Sequence, residues 1–257
     1  MSGVNARDNP IRGPGTSLAQ WQASRALQAV PTITAQLLLP HDGRLVVVAP
    51  HPDDEVLMCG GLRSRFAGQE EQLLLVSVTD GEGSHPCSLT WPASRLRQAR
   101  PLESAHALER LGLHLPGLDW RRLGLPDTQV PALEGALTEQ LQGLLRPGDR
   151  VLTTWRHDAH CDHDAVGRAC AEAARRCDAR LMEIPVWAWH WAEPEDRRLP
   201  WLRARKLMLD PQCLALKRHA IAAHTSQLSP DATTGAAPVL SPAALARLLQ
   251  PFELIFL

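Results

Sequence analysis

The residues Arg44-Leu45-Val46-Val47-Val48-Ala49, running straight into Pro50-His51-Pro52-Asp53-Asp54-Glu55, decide the fold of this chain. Arg44–Ala49 is apolar without interruption, as expected of a strand buried on both faces and not of one that alternates between core and water. Such strands belong to parallel sheets covered by helices on both sides. Downstream, Asp54–Phe66 reads as a helix and Gln72–Val78 (QLLLVSV) as a second buried strand. The alternation then continues. Helices are expected at Pro92–Leu111 (closed by Gly112), Pro131–Leu145 (stopped before Pro147-Gly148), His163–Cys177 and Pro211–His224. Strands are expected at Asp119–Leu123, Arg150–Thr154, Arg180–Trp189 and Phe252–Phe256. Upstream, Leu18–Ala29 reads as a short helix, and the polar, Gly- and Pro-bearing residues 1–16 as a mobile arm. The expectation is an α/β fold of three layers with a mostly parallel sheet. Residues 1–40 form an N-terminal arm with a short helix, and residues 41–257 form one domain.

Composition narrows the function. The 257 residues carry 27 Lys and Arg against 28 Asp and Glu, a net charge of −1. No basic excess exists to neutralise phosphates, so nucleic-acid binding has no electrostatic support. No apolar run approaches the roughly 20 residues that span a bilayer. The N-terminus lacks the apolar core of a secretory signal, so a cytoplasmic protein with reduced thiols is expected. The six cysteines form no C-x-x-C pair.

In a parallel sheet, ligands bind at the carboxyl ends of the strands. Two such ends carry chemistry. The first is Pro50–Glu55, where His51 and two carboxylates fall within four residues. The second follows Arg150–Thr154 and reads Trp155-Arg156-His157-Asp158-Ala159-His160-Cys161-Asp162-His163. A catalytic metal commonly takes His, His and a carboxylate and leaves one position open. It also needs a base that is not a ligand. Adjacent Asp residues can divide those tasks, and His160 and His163 can face one crevice. Each stretch alone also suits ordinary helix entry, with acids in a first turn or Asp162 as a cap.

The residues resemble a known family. Ala49–Glu55 looks like the A-H-P-D-D-E signature of the PIG-L/LmbE-like deacetylases, and His160-Cys161-Asp162-His163 like their H-P-D-H. Thr79-Asp80-Gly81-Glu82, Leu123–Asp127 (LGLPD) and His224-Thr225-Ser226-Gln227 resemble its T-D-G-E, L-G-x-x-D and H-x-S-Q. The resemblance implies a Rossmann-like fold with a metal site at the C-terminal strand ends. It implies His51, Asp54 and His163 as ligands of zinc, with ferrous iron the alternative. It implies Asp53 as general base, a protonated His160 stabilising the oxyanion, and Asp162 holding His160. Arg100 matches a substrate-contacting Arg. Asp158 occupies the place of an oxyanion-stabilising Tyr in some members. By their position after the second strand, Asp80 and Glu82 either bind sugar hydroxyls or, for Asp80-Gly81, simply make a turn. The expected reaction is removal of an acetyl group from an N-acetylated amino sugar or glycoconjugate. A hydratase or lyase on the same scaffold, or a binding module, are the alternatives. Cys161 departs from the family's Pro, and Pro50 precedes His51 where Ala is usual.

Val186–Trp191 places three Trp on one side of an expected extended segment, either a sugar-stacking platform or core packing, with His190 turned to the surface. His85, His106, His114 and His219 belong to no constellation. A homo-oligomer stays open, as does whether residues 1–40 cover the pocket or meet a second subunit.

Overall fold

The computed structural model describes residue 11 and residues 13–39 and 43–257. In chain order the elements are α1 (Leu18–Ala23), α2 (Arg25–Ala29), β1 (Thr32–Ile33), α3 (Ala35–Leu38), β2 (Leu45–Ala49) and α4 (Asp54–Arg63). Then come β3 (Leu73–Thr79), α5 (Ala93–Arg110), β4 (Asp119–Leu125), α6 (Glu134–Leu144), β5 (Arg150–Thr154), α7 (Cys161–Arg176) and β6 (Arg180–Ile184). The chain closes with α8 (Ala188–Trp191), β7 (Ala204–Met208), α9 (Pro211–Ile221), α10 (Thr225–Leu228), α11 (Pro242–Leu248) and β8 (Phe252–Phe256).

The strands form one eight-stranded sheet in the order β1-β7-β8-β6-β5-β2-β3-β4. Only β8 runs antiparallel to its neighbours. The α/β, mostly parallel sheet is therefore as expected. Strands β2 and β3 are buried at every position. Because strand side chains alternate, their apolar runs feed two cores. Leu45, Val47 and Leu75 pack with Val56, Leu62 and Leu108 on one face. Val46, Val48, Leu74 and Val76 pack with Leu137, Leu141, Val166 and Ala169 on the other. Strand β2 pairs with both β3 and β5, so the loops after β2 and β5 emerge side by side.

Some local expectations change. The helix over Leu18–Ala29 is two helices, because Ser24 ends α1 and accepts the Leu27 N–H as N-cap of α2. The segment after it carries β1, which pairs in parallel with β7 and so extends the sheet. Trp21, 1% exposed, donates its indole N–H to the Trp189 carbonyl. Of the arm expected over residues 1–16, residues 1–10 and 12 lie outside the described residues. Thr16 is pinned by its backbone to the His190 carbonyl.

The expected strand Arg180–Trp189 ends at Ile184. The chain turns after Pro185 and enters α8, so Trp187, Trp189 and Trp191 fan apart and form no common platform. Trp189 packs edge-on against Trp21, Trp191 lies under Arg198, and Trp187 stacks near His160. His190 is not a surface residue; it is 8% exposed and faces the Arg247 guanidinium at 2.9 Å. Helix α4 is interrupted at Cys59, whose φ of −142° leaves the helical region. Past that break, the N–H groups of Gly61 and Leu62 donate to the Glu253 carboxylate. The buried Lys217 ammonium, 3.0 Å away, balances that carboxylate's charge.

No helix among the described residues is long and apolar enough to cross a membrane. None of the six cysteines is in a disulfide.

Candidate metal centre and active site

Asp53 sits at the entry of α4 with φ 138° and ψ −31°. A non-glycine residue held in this sparsely populated region is strained, and such strain persists where surrounding structure imposes it. The imposing contacts are visible. The Asp53 N–H donates to Glu55, and its carboxylate meets the Arg100 guanidinium at 3.1 Å instead of capping the helix. Asp54, one residue on, points the other way. Its Oδ2 lies 3.2 Å from His51 Nδ1 and 3.2 Å from His163 Nε2. One strained turn thus sends two adjacent carboxylates to two different places.

His163 comes from α7, which follows β5, the neighbour of β2. The structure brings His51, Asp54 and His163, the expected ligands, side by side. The ring nitrogens of His51, His160 and His163 also lie within 4.8 Å of one another. Two imidazoles and a carboxylate converging in a buried pocket suit a divalent cation of the zinc or ferrous type.

Asp158, in the place of the oxyanion-stabilising Tyr and so expected to contact substrate, departs from that role and does not line the cavity. It is 0% exposed. Its carboxylate accepts from His163 Nδ1 at 2.8 Å and from the N–H groups of Val186, Trp187 and Ala188. It therefore fixes His163 so that Nε2 faces the cluster, as carboxylates behind metal-binding imidazoles commonly do. Asp162 departs as well. It does not grip His160; its carboxylate accepts from Thr128 N and Val130 N and faces His51 Nε2 at 3.1 Å. Asp127 stands at the same His51 nitrogen, 3.2 Å away, and also accepts the Gly83 N–H. Asp127 had been visible only as the last residue of LGLPD. Its place beside His51 depends on β4 lying next to β3.

His160 receives the Asp162 backbone N–H on Nδ1 at 3.3 Å. An imidazole that accepts at Nδ1 carries its proton at Nε2. Burial, and then the neighbouring His163 and His51, push its pKa down to about 2. Both the burial and the accepted N–H disfavour the protonated His160 that was expected and favour a neutral ring with its proton at Nε2.

The other groups divide by partner. Burial outweighs the Arg100 charge and raises the Asp53 carboxyl to about 7. Burial opposes ionisation of Asp54 too, but His163 and His51 hold its pKa below the usual carboxylate range. Burial disfavours charge on His163, yet Asp54 and the Asp158 bond raise it to about 9. The same opposition, won by Asp127, Asp162 and Asp54, raises His51.

Arg100 is buried and lines the cavity, with its Nη groups donating to Gly81 O, Pro52 O and Asp53. Gly81 has φ +69°, and a Cβ there would push into the Arg100 guanidinium, so a side chain at this turn is strained and displaces Arg100. Asp80 pairs with Arg122 at 2.8 Å and Glu82 with Arg97 at 2.9 Å. Both expected sugar-binding carboxylates are engaged by arginines and lie outside the cavity lining. Glu103 accepts from Thr225 and Ser226 and so anchors the H-x-S-Q turn, which brings Gln227 to the cavity. His224 is fully buried with neither ring nitrogen bonded.

Fold and site together define a Rossmann-like α/β protein with a buried His/Asp cluster at the carboxyl ends of adjacent parallel strands. The family model described as PIG-L, GlcNAc-PI de-N-acetylase, matches residues 46–174, and the chain belongs to this family.

A 1D-myo-inositol 2-acetamido-2-deoxy-alpha-D-glucopyranoside deacetylase of Corynebacterium urealyticum is 30% identical over 237 residues, covering 72% of this chain and 71% of that one. The enzyme of the same name from Nocardia farcinica is 28% identical over 182 residues, covering 61% of this chain. The chain spans 60% of that relative's length. The N,N'-diacetylchitobiose deacetylase of Pyrococcus horikoshii shares the fold with a TM-score of 0.54 at 18% identity, covering 73% of this chain and 72% of its own.

Proposed function

We propose that this chain is a metal-dependent N-deacetylase that hydrolyses the acetamide of an N-acetylated amino sugar or its glycoconjugate. One observation carries the reading. Asp53 is held out of the His51–Asp54–His163 cluster, buried and raised to about 7, beside the cavity that an amide would enter. A binding module needs no such base. The family and the amino-sugar deacetylases among its relatives support the choice of substrate.

His51, Asp54 and His163 are the residues that would hold zinc or ferrous iron. When bound, the metal supplies a Lewis acid that acidifies water and polarises the amide carbonyl. The Asp53 carboxylate takes the proton of the attacking water, a role suited to a group titrating near neutrality. Arg100 fixes that carboxylate by its bond at 3.1 Å. The Nε2–H of His160 donates to the carbonyl oxygen as negative charge develops there. Asp53, now protonated, returns the proton to the leaving nitrogen, and acetate and free amine separate.

The test is acetate release from N-acetylglucosamine derivatives by zinc-loaded protein, chelator-treated protein and the Asp53→Ala variant. Release only by the loaded wild type, with Asp53→Ala still binding zinc, is expected. A variant that turns over at a near-normal rate would remove Asp53 from the mechanism.

A further inference from the structure

The cavity that holds the catalytic groups is about 300 Å³, and its lining is of two kinds. Asp53, Asp54, Arg100 and His160 line it, together with Ser84, Thr128 and Gln227. Leu57, Val186, Trp187, Trp189, Leu240 and Leu248 supply an apolar wall. These side chains come from α4, from the turn between β6 and α8, and from α11 and the chain before it. Their convergence is a product of tertiary structure and appears in no motif.

A cavity of this size suits a small-molecule site, and an acetyl group, with three non-hydrogen atoms, fills only part of it. Sugar hydroxyls placed against the leucines and tryptophans would lose hydrogen bonds to water and gain none. Arg247 does not make that wall polar. Its Nη1 donates to the Pro14 and Thr16 carbonyls, and its Nη2 faces His190 Nδ1. The guanidinium therefore fastens residues 14–16 beside the cavity, where Ile11 adds a further apolar wall. His160, the donor to the reacting carbonyl, stacks at 6.4 Å and 14° with Trp187, so the reacting group and the apolar wall adjoin directly.

We infer that the substrate carries an alkyl or aryl group next to its amide, and that this group packs against the apolar wall of the cavity. The inference rests on the deacetylase reading and narrows its substrate. The apolar group has two possible sources, the N-acyl chain itself or the aglycone of the sugar. Either buries methylenes against the same wall.

Two substrate series separate the sources: N-acyl glucosamines from acetyl to hexanoyl, and alkyl glycosides of N-acetylglucosamine from methyl to hexyl. One series should show kcat/KM rising by about fourfold per added methylene, the gain expected for burying each one. A rise along the acyl series assigns the chamber to the acyl chain, and a rise along the glycosides assigns it to the aglycone. Ala244 of α11 also lines the cavity, so the Ala244→Leu variant narrows the chamber and should flatten the rise. Leu240→Ala should move the best substrate to a longer chain, so the test does not depend on one variant folding.

Quenching of tryptophan emission by hexanamide and by hexyl glucoside, against their one-carbon counterparts, reads occupancy without turnover. Binding of a hexyl ligand by a protein that hydrolyses nothing keeps the chamber and removes the hydrolase reading. Turnover of the acetyl substrate with both series flat, and no chain-dependent quenching, overturns the inference.

Discussion

Arg100→Met is the perturbation that tests the site most directly. Arg100 is 3% exposed and its Nη2 stands 3.1 Å from Asp53 Oδ2. Two opposite unit charges at about 4 Å attract by about 4 kcal/mol at an effective dielectric of about 20, equivalent to about 3 pH units. That is an upper limit, because the guanidinium also serves two carbonyls. Loss of an adjacent arginine generally moves a carboxylate by about 1–3 units. The sign follows from the chemistry. Burial raises Asp53 and Arg100 lowers it, leaving it at about 7. Asp53 acts as a base only when ionised, so kcat/KM climbs with pH through that region. Removing Arg100 removes the lowering influence, and the climb moves to higher pH. With the midpoint displaced by about 1–3 units, the rate at a pH below both midpoints falls by about 10- to 1,000-fold and recovers as the solution becomes alkaline. A metal held by His51, Asp54 and His163 displaces the climb in both proteins, so the difference between them is what counts. The assay is kcat/KM for acetate release across the pH range, on wild type and variant loaded with the same metal. A uniform loss at every pH, with the climb unmoved, would show that Arg100 acts on substrate and not on Asp53.

Asp158→Asn should weaken zinc binding by about 10- to 100-fold, because the group behind His163 can no longer receive its Nδ1–H without an amide turning to accept. Competition with a metallochromic chelator measures it, and an unchanged affinity would leave Asp158 with only a structural part in binding three backbone N–H groups. Lys217→Met leaves the Glu253 carboxylate buried without its counter-charge, at side-chain exposures of 2% and 1% in the wild-type pair. Destabilisation of about 3–5 kcal/mol is expected in urea unfolding. Restoration by a second change, Glu253→Gln, would confirm that the uncompensated charge was the cause, and a single variant as stable as wild type would refute it.

What was legible in the sequence was whatever depends on neighbours along the chain. The apolar runs of β2 and β3 specify doubly buried strands, and such strands need helices on both faces. The spacing of His51, Asp53 and Asp54 places all three in one turn, and His160 and His163 flank one helix start. Their convergence followed from the rule that adjacent parallel strands present their carboxyl ends together.

The tertiary structure decided what depends on distant partners. Asp158 looked available in a polar loop, yet the turn before α8, some 30 residues later, surrounds it with donors. Asp162 lies beside His160 in sequence, but β4 delivers Thr128 and Val130 to its carboxylate. Thr32–Ile33 is too short to read as a strand and exists because β7 offers it an edge. The tryptophans after Ile184 have a strand-like alternation, but burial of Trp189 against Trp21, 168 residues away, goes with a turn into helix. Local pattern sets which groups can do chemistry. Burial against remote segments sets which of them are free to do it, because a carboxylate surrounded by donors in the interior is held in place and one left facing a cavity can still exchange a proton.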